Sequence, residues 1–552
     1  MGQAQGTAAS ALEITEQELR GLRLRFQPGT VLSTADCELF QAVVTTLEQV
    51  TQQLGQKNAS VARLRVLLFG PHTEKTKDVL KDDPSSGPPT SPAPESPSGT
   101  GDPSGVGAGS PSPTPEPDPP KKKRKGHGRN GASAYPSATR VRVNHTTLII
   151  GQSCPDCGRG KLHRLPDFTK TVRVVGQPCL HATIWEGEQF RCGGCGEVFP
   201  ADLPAEARGP KYDETAGSMI AVLKYGTGLP NYRLDRLQTD LGIPVPATVQ
   251  SEIASEVSET VAPAFEELLN QAAQADVLHH DDTRAKILQK PRPDQRTGTF
   301  TTNIVARKDG HDISLYFTGR RHAGENLVKL LERRLPGKEP PIQMCDALSR
   351  NYPEALSTIL SKCIAHGRRK FVAVASCFPA ECRLVLDHLA VAYRNDTKTR
   401  ELGLSPPDRL AYHREHSTKA MEDLHTWLKA QFEEKRVEPN STLGGAISYM
   451  LQHWPEMTQF LKVPDAPLDN NICERALKMA ILLRKNSLFY KTEAGAAVGD
   501  LLMSLIFTCR MSGANPFVYL NELQRNADRL RERPADWMPW NFTATLATLE
   551  AG

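Results

Sequence analysis

A proline-, serine- and glycine-rich stretch from Asp83 to Pro120 limits what this chain can fold into more than any other feature. It reads DPSSGPPTSPAPESPSGTGDPSGVGAGSPSPTPEPDPP and offers almost no apolar side chains to bury. Because such a segment cannot offset the entropy that a chain loses on folding, it predicts an extended, disordered linker. At 552 residues the chain is also too long for a single core. We therefore expect three or more structural units, divided by this linker.

The linker ends in a basic run, KKKRKGHGR, at residues 121–129. Its first five residues are the consecutive cations Lys121, Lys122, Lys123, Arg124 and Lys125. Beside a flexible arm, such cations can bind DNA phosphates without regard to sequence. A solvated basic surface and a nuclear-localisation signal agree with the same letters, and the net charge of +4 does not decide between them.

Before the linker, residues 36–80 have the pattern of one helix. Leu47, Leu54, Val61 and Leu68 recur every seven residues, a spacing that puts apolar side chains on one helix face. An amphipathic helix packed on its own domain and a dimerising coiled coil agree equally well with this stripe.

Two tight cysteine pairs follow the linker, Cys154-Pro-Asp-Cys157 and Cys192-Gly-Gly-Cys195. Each CxxC turn presents two thiolates to one ion, and four soft ligands suit a tetrahedral Zn²⁺ site. A redox dithiol needs only one such pair, so we expect a structural zinc ribbon with short strands. The other cysteines are scattered rather than arranged as a disulfide framework, which indicates a reducing compartment.

Two classes of protein are disfavoured by the sequence. The N-terminus lacks the charged start and apolar run of a secretory signal. No stretch approaches the roughly 18 consecutive apolar residues that a membrane-spanning helix needs. We therefore expect a cytoplasmic protein without a membrane partner.

Two predicted strands end in carboxylates. Asp281 closes the apolar approach in LHHDDT, with Asp282 directly after it, and Asp346 follows the short apolar strand IQMC. Aspartates at strand ends can hold a divalent cation. Taken alone, each of them is as well explained by a surface turn or a helix cap.

A third acid, Glu474, lies in LDNNICERALKMA, where a helix would put Asn470, Glu474 and Lys478 on one face. Two aspartates at strand ends and one glutamate on a helix suit two-metal phosphoryl transfer with Mg²⁺ or Mn²⁺, since these hard ions prefer oxygen ligands. It is the order of the three acids and their strand–strand–helix setting that indicates a shared site.

Basic residues accompany the acids, as expected of a site that holds a DNA backbone. They are Arg368, Arg369 and Lys370 in CIAHGRRKF, Lys478 on the helix of Glu474, and Arg484 and Lys485 in LLRKNSLFYK. For any one of them a solvated, salt-bridged surface is the plainer interpretation. His366, in the first of these strings, suits proton transfer, a DNA contact or a structural hydrogen bond.

Several of these strings together resemble the insertion sequence 66 family of transposases. CPDCGRGKL and RCGGCGEVF resemble its zinc-binding domain. LHHDDT, IQMCDALSRN, CIAHGRRKF, LDNNICERALK and RKNSLFYKTEAGA resemble its catalytic motifs, in the family's order. The resemblance extends along nearly the whole chain.

The resemblance implies a multidomain α/β protein with an RNase H-like catalytic core, a mainly helical insertion and a DDE mechanism. It implies that Asp281, Asp346 and Glu474 hold Mg²⁺ or Mn²⁺, and it favours Asp281 over Asp282 as the first acid. The implied reaction is water attack at the ends of the element, followed by joining of the freed 3′-hydroxyls to target DNA. The expected partners are DNA, further copies of the chain in the active complex, and accessory proteins of the same element.

The domain division expected on this basis has eight parts. They are a zipper-like helical region at 1–80, the Pro-rich and basic linker at 81–129, the zinc ribbon at 130–210, a helical DNA-binding segment at 211–275, the first part of the RNase H-like core at 276–375, the helical insertion at 376–465, the second part of the core with the catalytic glutamate at 466–512, and a C-terminal tail at 513–552.

Two other functions remain open from the residues. One is a catalytically inactive DNA-binding protein that uses the zinc ribbon and the basic run. The other is a metal-dependent nuclease that cuts without strand transfer.

Overall fold

The computed structural model describes residues 132–134, 140, 147–163, 179–191, 195, 198–289, 296–352 and 357–551. The predicted N-terminal helix, the linker, the basic run and Cys192 lie outside these residues. The chain divides into two compact units, Ser86–Cys179 and a larger one that includes Leu180–Gly552. Each unit is described by itself below.

The smaller unit contains a tight turn that carries Cys154 and Cys157. Ser153 and Lys161 pair across it as an antiparallel bridge. Gly158 has a φ of +66° and donates its N–H to the carbonyl of Cys154 at 2.9 Å. Glycine suits this position because a side chain disfavours the left-handed region.

The larger unit begins with an antiparallel hairpin and continues with helices. The hairpin strands are β1 (Gln189–Arg191) and β2 (Val198–Pro200). The helices are α1 (Glu214–Ala221), α2 (Asn231–Asp240) and α3 (Ala247–Ala273), with a π-helical turn at Val222–Gly226 after α1. Asp213 caps α1 by accepting the N–H of Ala216 at 2.9 Å, which satisfies one of the free donors of the first turn.

A five-stranded mixed sheet follows the helices. Its strands are β3 (Val277–Arg284), β4 (Phe300–Lys308), β5 (His311–Gly319), β6 (Ile342–Cys345) and β7 (Ile359–Lys362), and α4 (Ala323–Leu331) connects β5 to β6. The strand order is β5-β4-β3-β6-β7. Strands β3, β4 and β5 pair antiparallel, whereas β6 and β7 run parallel to β3. The mixed α/β class expected from the sequence is confirmed.

Both faces of the central part of the sheet are covered. In β4, all residues from Thr301 to Ala306 are buried, whereas a strand with one solvated face would alternate between buried and exposed residues. One covering layer comes from α3, whose residues Val261, Ala264 and Leu268 share a core with Ile304 of β4.

A group of helices separates β7 from the last part of the chain. Their core also contains Val277 of β3 and Ile342 of β6. These helices are α5 (Ile364–Val372), α6 (Pro379–Glu401), α7 (Pro406–His416), α8 (Thr418–Glu433), α9 (Thr442–Gln452) and α10 (Trp454–Met457). Leu389, Leu424, Leu428 and Ile447 are buried at its centre. Arg409 donates two hydrogen bonds to the buried carboxylate of Asp396 and so joins α6 to α7.

The chain ends in five more helices that return to the sheet. They are α11 (Asn471–Ser487), α12 (Glu493–Met511), α13 (Pro516–Arg525), α14 (Ala527–Glu532) and α15 (Phe542–Ala551). Trp537 and Phe542 of the C-terminal region are buried in the core that contains α3 and α12.

Helix α12 covers the edge of the sheet at β5. The backbone N–H groups of Ser314, Tyr316 and Thr318 donate to side chains of this helix, namely Thr508 Oγ1 at 3.0 Å, Ser504 Oγ at 2.9 Å and a carboxylate oxygen of Asp500. Among the described residues, α12 is the one helix long and apolar enough to cross a membrane. Its contacts with β5 are those of a core helix.

Candidate active site

Asp281 lies on β3, the central strand of the sheet. Its Oδ1 accepts the N–H of Asp282 at 2.7 Å. The pKa of Asp281 is raised to about 7, first by burial and then by the negative charges of Asp346, Asp282 and Glu474, against the opposing effect of that hydrogen bond. The two other acids predicted for the site therefore lie close enough to act on Asp281.

Asp346 directly follows β6, the neighbour of β3. The parallel register pairs Val277 with Ile342 and His279 with Met344, and its continuation puts Asp346 beside Asp281. Neighbouring strands lie about 4.8 Å apart, so the two residues lie at the same end of the β3–β6 pairing. Asp346 Oδ1 accepts hydrogen bonds from Leu348 N at 3.1 Å and from Asn351 Nδ2 at 2.5 Å.

Glu474 lies in the first turn of α11, and Asn470 holds the start of that helix against β3. Asn470 is fully buried, donates from Nδ2 to the carbonyl of His280 at 3.0 Å, and has its Oδ1 3.2 Å from His279 Nδ1. Asn470 directly precedes α11, and its amide is used for this anchor. Lys478 is exposed on α11.

Arg369, predicted as a DNA contact, forms a bidentate ion pair with Glu474. Its Nη1 and Nη2 lie 3.0 and 2.7 Å from the two carboxylate oxygens. His366 Nε2 lies 3.9 Å from Glu474 Oε1. One ligand atom each from Cys363, His366 and Glu474 lie within 4.8 Å of one another. The two sequence motifs CIAHGRRKF and LDNNICERALK thus meet at Glu474.

Asp282 has different surroundings from Asp281, since successive residues of a strand point to opposite faces. One of its oxygens lies 3.0 Å from His322 Nδ1, and the other accepts a hydrogen bond from Arg350 Nη2 at 3.1 Å. Its side chain is almost fully buried between these partners. Both carboxylate oxygens of Asp282 are therefore in contact with protein side chains.

The remaining predicted cations lie on two helices and in the basic run. Arg484 Nη1 donates to Thr283 Oγ1 at 3.1 Å and also to the carbonyl of Arg284. Lys370 is exposed, with its ammonium 4.4 Å from the centre of the Tyr449 ring. Lys485 is exposed on α11 and Arg368 is half-buried on α5. The run Lys121, Lys122, Lys123, Arg124 and Lys125 lies outside the described residues.

Three of the four predicted zinc ligands are described. In the smaller unit, backbone hydrogen bonds from Gly160 and Arg159, together with Cys154, lower the pKa of the exposed Cys157 thiol. Such N–H donors favour the thiolate, which is the form that binds a metal. Cys195 is exposed in the turn between β1 and β2 of the larger unit. The zinc ribbon stays a prediction, since Cys192 lies outside the described residues.

The carboxylates at the end of the sheet fit a divalent cation. They offer hard oxygen ligands, although among the described residues the group whose ligand atoms all lie within 4.8 Å of one another is Cys363, His366 and Glu474. The pKa of Asp281 is raised first by burial and then by the other acids, and a bound cation would favour its ionised form. Glu474 differs, because Arg369 neutralises it.

Comparison with known proteins assigns the larger unit to a family. The model of "Transposase IS66 family" matches residues 211–498, a range that contains all three acids. Two uncharacterized proteins of Sinorhizobium fredii (strain NBRC 101917 / NGR234) are similar to the chain. One, y4jD, is 26% identical over 403 residues, which cover 70% of this chain and 78% of the relative. The other, y4hP, is 25% identical over 427 residues, which cover 72% of this chain and 75% of the relative. The chain therefore belongs to the IS66 transposase family, whose role is DNA transposition.

Proposed function

We propose that this protein is a DDE-type transposase that cleaves the ends of its element and joins them to target DNA by two-metal phosphoryl transfer. The observation that carries the proposal is that β3 and β6, which bear Asp281 and precede Asp346, pair in parallel, while Asn470 anchors the helix of Glu474 to β3. The three acids come from a central strand, its neighbour and a helix, and they fall inside the matched family region.

We infer further that the sheet and its helices form an RNase H-like core. Supporting features are the order β5-β4-β3-β6-β7 and the change from antiparallel to parallel pairing at β3. The helices α6 to α10 lie between β7 and α11 in the chain, as expected of an insertion. Their buried residues share a core with Val277 of β3 and Ile342 of β6.

In this proposal Asp281, Asp346 and Glu474 hold Mg²⁺ or Mn²⁺. When bound, such ions activate the attacking oxygen and stabilise the leaving one. Arg369 contacts both oxygens of Glu474 and would therefore compete with a cation for that carboxylate. Asn470 keeps Glu474 beside β3 through its hydrogen bond to His280.

The DNA contacts remain proposals as well. The exposed cations Lys370, Lys478 and Lys485 are available to phosphates, and we assign the same role to Arg368, Arg369, Arg484 and the run 121–125. We propose a cytoplasmic protein that works as a homo-oligomer with accessory proteins of the same element.

The test is a cleavage and joining assay with full-length protein, Mg²⁺ or Mn²⁺, and DNA that carries the element's ends. Asp281→Asn, Asp346→Asn and Glu474→Gln should each lower both activities by about 10³-fold or more, because each removes a metal ligand. Asp387→Asn, on an exposed residue of α6, is the matched control and should leave both rates unchanged.

Three results would contradict the proposal in different ways. Unchanged activity in one acid variant removes that residue from the site. Cleavage without joining favours the nuclease, and DNA binding without cleavage favours the inactive DNA-binding protein.

A further inference from the structure

A groove of about 750 Å³ lies between the helices α2 and α3 and the loop that follows α11. The proposed chemistry does not use it. Residues from five elements line it, and those that matter here are Lys224, Tyr232, Lys286, Arg484, Phe489 and Lys491. Its size is that of a small-molecule or nucleotide site.

Positive charge dominates the groove. Lys224, Lys286, Arg484 and Lys491 line it, against the single carboxylate of Glu259. Within the described part of the chain Lys224 pairs with no carboxylate, and its ammonium lies 5.0 Å from the centre of the Tyr225 ring. Burial lowers the pKa of Lys224 to about 8, so an anionic partner would stabilise its charged form. A polyanion is the occupant that this charge pattern favours.

Two apolar side chains stand exposed at the rim of the groove. Leu488 is 65% exposed and Phe489 is 44% exposed. Leu488 has a φ of +68°, a conformation that is unusual for a bulky residue and persists only where the surroundings impose it. A second exposed aromatic residue, Tyr232 of α2, lines the same groove.

Backbone hydrogen bonds hold this rim in place. Leu488 donates its N–H to the carbonyl of Arg484 at 2.8 Å, and Tyr490 donates to the carbonyl of Lys286 at 2.8 Å. Leu288 donates in turn to the carbonyl of Tyr490 at 2.9 Å. The loop after α11 is thereby joined to the continuation of β3, and Leu488 and Phe489 project from a supported backbone.

Two features connect the groove to the acids. Arg484 lines the groove and donates to Thr283, two residues after Asp281 on β3. Helix α11 starts with the turn of Glu474 and ends at Ser487, so the rim lies about 20 Å from Glu474 along the helix axis. That length corresponds to about six nucleotides of one DNA strand.

We propose that this groove binds one unstacked nucleotide of the DNA substrate, with its base stacked on Phe489 and its phosphate paired with Lys224. Leu488 occupies the gap that the nucleotide leaves in the base stack. Aromatic faces bind any base by stacking, and apolar residues inserted between base steps stabilise an opened duplex. The inference rests on the proposed function, since it takes DNA as the substrate.

The experiment measures binding of the full-length protein to two DNA duplexes that differ by one unpaired nucleotide. It is run without added Mg²⁺ or Mn²⁺, so that no cleavage is required. Wild-type protein should bind the bulged duplex about tenfold more tightly than the perfect duplex, because the bulge supplies a nucleotide that is already unstacked.

Four variants locate this preference. Phe489→Ala and Phe489→Leu should reduce the ratio of the two Kd values, perfect over bulged duplex, to about one. The leucine variant keeps an apolar side chain and so guards against a folding defect. Phe489→Tyr keeps an aromatic ring and should retain the wild-type ratio. Lys224→Gln should reduce the number of counterions released on binding by about one, and only on the bulged duplex. The slope of log Kd against log salt concentration measures this number. Leu402→Ala, at an exposed apolar residue after α6, is the control and should behave as wild type.

Equal Kd values for the two duplexes in wild type, or an unchanged ratio in Phe489→Ala and Phe489→Leu, would overturn the inference. A change of oligomeric state in these variants with the ratio unchanged would assign the rim to a protein partner instead. The proposed function is judged separately. A protein that cuts element ends but shows no bulge preference disproves only the groove, and one with the preference but no cleavage disproves only the transposase chemistry.

Discussion

At the scale of single residues, Asp500 gives a pH dependence that can be measured. It lies on α12, and its carboxylate accepts hydrogen bonds from the backbone N–H and the hydroxyl of Thr318. Burial raises the pKa of Asp500 from 3.8 to about 7. A carboxyl group with a raised pKa in the folded state stabilises the fold when protonated. This contribution is complete below pH 3.8 and is lost as the pH rises through about 7.

Asp500→Asn should therefore flatten the pH dependence of the free energy of unfolding between about pH 4 and pH 8. The variant should be more stable than wild type at pH 8, by at most about 4 kcal/mol. Urea unfolding at a series of pH values measures the difference. Asp387→Asn should keep the wild-type dependence, and a wild-type slope in Asp500→Asn would show that Asp500 is ionised throughout.

The residues of the candidate site were only partly accessible to sequence reasoning. Two adjacent aspartates identified a position on β3, but only the register of the folded sheet shows that Asp282 is taken by His322 and Arg350. The bidentate pair of Arg369 with Glu474 joins residues far apart in the chain, and no local pattern predicts it. The spacing of Asn470 from Glu474 can be read in the sequence. Its burial depends on the packing of α11 against β3, which the sequence pattern does not show.

At the scale of elements, the protected edge of β5 yields a second prediction. Thr508 of α12 accepts the N–H of Ser314 at 3.0 Å in a buried contact. Thr508→Ala removes the acceptor and leaves a buried donor unsatisfied, at a cost of about 1–3 kcal/mol in the free energy of unfolding. Chemical denaturation measures this loss.

Thr548→Ala is the matched control for Thr508→Ala. Thr548 is exposed on α15 and bonds only to the carbonyl of Ala544 in its own helix. We expect a change within about 0.5 kcal/mol there. Equal losses of stability in the two variants would argue that α12 does not stabilise the edge of β5 through this hydrogen bond.

Helices and strands could be predicted because their patterns are local. The strand that carries Asp281, the strand Ile342–Cys345 and the helix of Glu474 follow from apolar runs and spacing. The pairing of β3 with β6 and the covering of β5 by α12 join distant segments. Such contacts depend on tertiary packing, which the spacing of apolar residues does not specify.

At the scale of the whole molecule, the cysteine pairs predict a metal content. The lowered pKa of Cys157 agrees with a thiolate held ready for a metal. We expect about one zinc per chain by elemental analysis, and its loss in a variant with both Cys154→Ser and Cys192→Ser. Cys377→Ser, at an exposed cysteine outside the two pairs, should keep the zinc. A full zinc content in the double variant would rule out this site.

The division into units was less predictable than the elements. The composition of 83–120 indicates a linker, whereas the boundary between Cys179 and Leu180 falls inside the stretch expected to form one ribbon. Packing determines such a boundary.

The position of α6 to α10 between β7 and α11 also separates the three acids in the course of translation. Asp281 and Asp346 leave the ribosome well before Glu474, which follows the whole of α6 to α10. At a synthesis rate of 5–20 residues per second, the interval is on the order of ten seconds. If the three acids act as proposed, a nascent chain in that interval has Asp281 and Asp346 without Glu474 and should not cut DNA. On the proposed mechanism, the position of these helices would delay the onset of activity until translation is nearly complete.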